Sequence, residues 1–167
     1  MPAAEPTDTT HLDIRPFLDA MRGERYRAFV IHGRPLVGKT TFARRLARLR
    51  ADAIYLDVLD LVASNREQAA TVDRMDAGDL RDLALAQAEQ ARARLVLVDE
   101  FDFLVHVWGG DLTAFQDMVR TLPSTRTEAA VGFVMQTQPS LEEWRLVTSV
   151  GQSRVLRLEQ LQELRKS

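Results

Sequence analysis

Gly33-Arg34-Pro35-Leu36-Val37-Gly38-Lys39-Thr40 follows the short apolar run Ala28-Phe29-Val30-Ile31 and precedes a helical pattern in which Phe42, Leu46 and Leu49 share one stripe. A phosphate group needs several backbone N–H donors aimed into one concavity. Glycines at 33 and 38 give a loop that freedom, and a helix start adds positive potential. Lys39 stands where an ammonium neutralises β- and γ-phosphates, Thr40 where a hydroxyl ligates Mg2+, and the expected cradle covers residues 33–41, closing on Thr41. At ordinary residue usage a chance match to G-x-x-x-x-G-K-[ST] in a chain of this length has a probability of roughly 0.5%. Its position between a strand signal and a helix signal lowers that further.

Outward from this loop the chain alternates. The pattern predicts a helix over 12–21, strands over 28–31, 53–58, 95–98, 131–135 and 155–158, and helices over 41–50, 79–92 and 112–122, the last stopped by Pro123. Residues 59–77 mix helix formers with Ser64-Asn65 and predict helix only loosely. Pro139 opens another helix, with Ser140 and Glu143 at capping-box spacing, and 159–166 reads as a helical end. Near-continuous apolar strands separated by helices imply an α/β fold, a parallel sheet covered on both faces. Ligands in such sheets bind beyond the carboxyl ends of the strands.

The second chemical signal sits at such an end. Leu95-Val96-Leu97-Val98 runs into Asp99-Glu100, so a buried strand delivers one carboxylate toward a metal and a second toward an attacking water. Asp99 is the expected metal partner beside Thr40, and Glu100 the group that polarises water. By contrast, Arg44, Arg45, Arg48 and Arg50 lie opposite an apolar stripe and read as a solvated helix face. His11, His32 and His106 lack metal-ligand spacing.

Composition sets the outer limits. The 167 residues, 46% of them hydrophobic, suffice for one domain with one core. Lys+Arg 22 against Asp+Glu 24 gives a net charge of −2, so no overall field draws the chain to nucleic acid, and any DNA contact is local or indirect. Cysteine is absent, and no apolar run approaches a membrane span; a cytoplasmic chain without a membrane partner is expected. Residues 1–10, with two Pro, three Thr and two acids, read as a flexible leader ahead of a single domain over 11–167.

The loop at 33–40, the intervening strand at 53–58 and the Asp99-Glu100 pair together resemble the additional-strand, catalytic-glutamate division of P-loop ATPases, which holds the AAA+ and STAND proteins. That resemblance implies a three-layer P-loop NTPase sandwich around a five-stranded, mostly parallel sheet of order 5-1-4-3-2. It implies ATP and Mg2+ as ligands, hydrolysis as the reaction, and Gln136 or Thr137 as sensor of the γ-phosphate. Val134 to Pro139 resembles the STAND strand end, with Gln138 where arginine is usual. An arginine finger reaching a neighbouring subunit is implied at Arg154, or else at Arg145, and with it a homo-oligomer or hetero-complex, for which Phe103, Trp108 and Trp144 offer apolar surface. After Leu158 too little chain remains for a C-terminal helical lid. A bare core of this size resembles the small BrxF-type ATPase of BREX phage-defence systems and, more distantly, the TniB transposition ATPases. Two functions stay open: an accessory ATPase, and a nucleotide-dependent switch or platform that does not hydrolyse.

Overall fold

A computed structural model describes residues 12–161. The leader expected over 1–10 lies outside them. The strands are β1 (Ala28–Gly33), β2 (Ala53–Asp57), β3 (Leu95–Asp99), β4 (Ala130–Gln136) and β5 (Val155–Arg157). They form one sheet of order β2-β3-β4-β1-β5, and all four pairings are parallel. The expected order is therefore observed, and the sheet is wholly rather than mostly parallel. No helix among the described residues is long and apolar enough to cross a membrane.

Alternation along β1 divides the core. Phe29 and Ile31 face α1 (Ile14–Met21) and α2 (Lys39–Leu49), packing with Phe17, Ala43 and Leu46. Ala28 and Val30 face the other way, toward α3 (Val58–Ala63), α5 (Ala77–Ala91), α6 (Asp102–Val107) and α7 (Thr113–Thr121). A short helix, α4 (Arg66–Ala70), lies between α3 and α5. Helices on both sheet faces make three layers, the arrangement that apolar parallel strands demand.

Several local readings are corrected. Residues 59–77 hold not one helix but α3, α4 and a 3-10 turn, because side chains restart the chain: Asp57 accepts from Asp60 N, and Asn65 from Glu67 N and Gln68 N. Helix α6 begins two residues after Glu100, too short at six residues to leave a period in the sequence. The capping box at Ser140 does not form. Pro139 occupies the first turn of a five-residue 3-10 segment, so Gln138 is the cap and makes no side-chain bond. Leu158–Gln160 is likewise a 3-10 turn, and Leu161 then bridges to Leu12, so no helix starts at Glu159. The remainder of that expected helix lies outside the described residues.

One glycine fixes the spacing of the central strands. Gly132 of β4 pairs with Phe29 on one side and Leu97 on the other. A Cβ there would lie 2.5 Å from Phe29 Cζ and 3.1 Å from a Leu97 methyl. The Phe29 ring uses that space and meets Phe17 of α1 edge-on, centroids 5.3 Å apart. Gly132→Ala should therefore destabilise the protein by about 1–3 kcal/mol through overpacking, measured by denaturant unfolding; an unchanged midpoint would contradict this packing.

Candidate active site

At the carboxyl end of β1 the chain leaves the sheet at Gly33 and returns as α2 at Lys39. Arg34, Pro35, Leu36, Val37 and Gly38 are exposed, and Leu36 carries a positive φ of 64° at the tip. Gly38 is the N-cap of α2 at φ 93°, a left-handed value that favours glycine, and a Cβ on it would enter open space. No side chain caps this helix. The amides of its first turn therefore keep no intrahelical partner. Open space above Gly38, uncapped amides and the adjacent Lys39 suit a polyphosphate. The Lys39 ammonium lies back over the loop, donating to the Arg34 carbonyl at 2.7 Å.

The acids arrive from β3. Leu95 and Leu97 pack in the cluster under α2, and by strand alternation Asp99 points to that same side. Asp99 is 3% exposed, and its Oδ2 accepts from Thr40 Oγ1 at 2.8 Å and from the Tyr55 hydroxyl at 2.7 Å. Its Oδ1 accepts from Glu100 N at 2.8 Å. Glu100 adopts φ 59°, left-handed for a residue with a side chain, at a cost of about 1–2 kcal/mol. That turn brings Glu100 Oε1 within 3.2 Å of Thr40 Oγ1. Strain of this kind concentrates at functional sites.

Thr40, Asp99 and Glu100 thus meet at one point, beside Lys39. Thr41 is exposed one residue further into α2. A hydroxyl with a buried carboxylate is a hard-oxygen pair that Mg2+ accepts, completing its shell with water and phosphate. Among the described residues no group of three acidic, histidine or cysteine side chains could hold a metal alone.

Two participants carried no readable signal. Tyr55 stands in an otherwise aliphatic stretch of β2, and only the register that sets β2 beside β3 brings its hydroxyl to Asp99. Burial, then the bond to Asp99, pushes the Tyr55 hydroxyl well above its ordinary value, so it remains a donor. Asp102, the third acid after β3, accepts from Gln136 N at 3.0 Å and ties the end of β4 to α6. Burial raises the Asp102 carboxyl, while the Gln136 amide and Lys39 act against it.

The sensor candidates divide. Gln136 is exposed and in register with Gly33, at the loop's mouth. Thr137 donates its amide to the Gly33 carbonyl at 3.0 Å, and its hydroxyl lies 2.8 Å from His32 Nδ1. Thr137 therefore braces the loop.

Arg154 requires correction. It precedes β5, at the amino edge of the sheet and away from the loop, and is 4% exposed. Its guanidinium donates to the carbonyls of Ala28 at 3.0 Å, Val119 at 3.1 Å and Arg120 at 3.3 Å. A cation so enclosed is a bracket between β1, β5 and α7, not a group offered to a neighbour. Arg145 is exposed and donates to the Glu142 carbonyl at 3.2 Å. Of the three residues expected to offer apolar surface, Trp144 is buried, whereas Phe103 and Trp108 are half-buried. Trp144 is buried against Phe115, Trp108 stacks on Phe115 and donates to the Met75 carbonyl at 2.7 Å, and Phe103 packs on the same core.

The chain matches no known family profile, and a search of curated proteins finds no match. The residues alone carry the functional reading.

Two outcomes follow from these contacts. Arg154→Met, which keeps the stem but deletes the donors, should cost about 1–3 kcal/mol of stability by stranding buried carbonyls; an unaltered unfolding midpoint would remove the bracket role. His32 is held below its ordinary 6.5 chiefly by burial, with Arg157 adding to the shift. The unfolded chain then takes the proton first, so this contribution is complete above about pH 6.5 and is lost as pH falls below it. His32→Gln should flatten stability between about pH 7.5 and 5.5; an identical slope in both proteins would contradict this.

Proposed function

We propose that this chain is a small Mg-dependent ATPase of the AAA+/STAND-like kind, a P-loop protein serving as accessory or regulatory subunit of a larger cytoplasmic complex. The observation that carries the reading is the meeting of Thr40, Asp99 and Glu100 beside a glycine-capped helix start. A chance sequence match gives no reason for β3 to deliver its acids to that loop across the intervening β4. The resemblance in motif layout to the BREX ATPase supports anti-phage defence as the setting of this proposal.

In this reading the amides of residues 36–41 bind the triphosphate of ATP, and Lys39 turns from the Arg34 carbonyl to the β- and γ-phosphates. Thr40 and Asp99 would hold Mg2+, which would supply screening of the phosphate charge. Glu100 accepts the proton of the water that attacks the γ-phosphorus, as the bond to the ADP oxygen breaks. Gln136, at the end of β4, contacts the γ-phosphate.

The burial of Arg154 favours a second reading. Without a finger from this position, the isolated chain is a slow or non-hydrolysing switch until a partner, or Arg145 of a neighbouring copy, supplies the cation. Contact with DNA is then indirect, through the assembly.

Lys39→Ala should weaken Mg-ATP binding at least tenfold, by calorimetry or a fluorescent analogue, about 1.4 kcal/mol or more. Unchanged affinity would end the phosphate-loop reading. Glu100→Gln should keep binding and abolish turnover; equal, negligible turnover in wild type and variant, alone and with partners, would leave the switch.

A further inference from the structure

We propose that Tyr55 is a positioning residue for the metal site: it holds Asp99 in the orientation that serves Mg2+ without itself touching metal or nucleotide. The inference rests on the ATPase reading of the site and extends it to the edge strand.

Three donors from three elements fix the Asp99 carboxylate. Tyr55 of β2 and Thr40 of α2 both donate to Oδ2, at 2.7 Å and 2.8 Å, while the Glu100 amide donates to Oδ1 at 2.8 Å. Of these, only Thr40 is also an expected metal ligand: its hydroxyl has two lone pairs besides its hydrogen, so it can ligate a cation and still donate to Oδ2. Tyr55 and the Glu100 amide hold the carboxylate independently of the metal, one on each oxygen. Partners behind a metal-binding carboxylate typically change metal affinity 10–100-fold when removed.

The ring is built to hold that position. It is half-buried against the cluster under α2, and the Arg44 guanidinium lies over its outer face, 5.0 Å from the centroid. A tyrosine used only for packing would gain nothing from a hydroxyl aimed at a buried carboxylate. Phenylalanine would fill the same space, and this makes the role testable.

The test uses the full chain and a fluorescent ATP analogue, with affinity measured in EDTA and then as Mg2+ is titrated in. Tyr55→Phe should leave the EDTA affinity unchanged and raise the half-saturating Mg2+ concentration about tenfold or more. In an Asp99→Asn background the same change should add nothing, since Tyr55 acts through Asp99. An unaltered Mg2+ requirement in Tyr55→Phe, or equal weakening with and without metal, would overturn the positioning role while the ATPase reading stands. A wild-type chain that binds no nucleotide under either condition would overturn both.

Discussion

One hydrogen bond, from the Thr40 hydroxyl to Oδ2 of Asp99, joins the first turn of α2 to the end of β3 across the full width of β4. It forms only if two strands that do not touch are held at a fixed offset, with the side chain of one turned toward the helix that follows the other. Parallel pairing in strict register supplies the offset: Val98 and Val30 both lie opposite Phe133 while Gly33 lies opposite Gln136, so β3 ends two residues before β1. Alternation along β3 supplies the direction. The candidate site residues Lys39, Thr40, Asp99 and Glu100 are gathered at this end of the sheet, as expected where all strands run one way.

The cost of that arrangement is borne elsewhere in the core. Gly132 lets Phe29 lie across β4, and Phe29 in turn seats α1, so the layer containing α2 rests on a ring that only a glycine admits. At the opposite edge Arg154 ties the start of β1 to α7 with donors to backbone carbonyls. A buried cation without a carboxylate is expensive, and its carbonyl partners offset that cost. At the carboxyl end Lys39 and Thr40 hold contacts that a ligand could exchange, while at the amino end the terminal nitrogens of Arg154 are committed to carbonyls.

The legibility of the sequence follows from the range of the interactions. The loop at 33–40 is legible as a strand–loop–helix unit because its motif lies in eight consecutive residues flanked by a strand and a helix. Asp99 and Glu100 are legible as strand-end acids because an apolar strand leads into them, and the parallel sheet because helical segments separate the strands, whereas the strand order is what the family resemblance implies, not the pattern. What stayed hidden depends on contacts distant in sequence. Tyr55 gains meaning only when β2 is laid beside β3. Arg154 looked available because an arginine beside a strand has no sequence mark of burial, and its carbonyl partners are 34 to 126 positions away. Trp108 and Trp144 read as surface for the same reason: Phe115, the ring between them, lies in a different helix from either. The failed capping box at Ser140 is a local effect, in which Pro139 sets the cap two residues earlier, at Gln138.

The site at the end of β1 and β3 is tested most directly by a crystal structure of the chain with Mg2+ and a non-hydrolysable ATP analogue. The account predicts the triphosphate against the amides of 36–41, Lys39 moved from the Arg34 carbonyl to phosphate, and metal density between Thr40 and Asp99. An analogue bound elsewhere, or phosphate at the loop with Thr40 still donating to Asp99 and no metal between them, would contradict it.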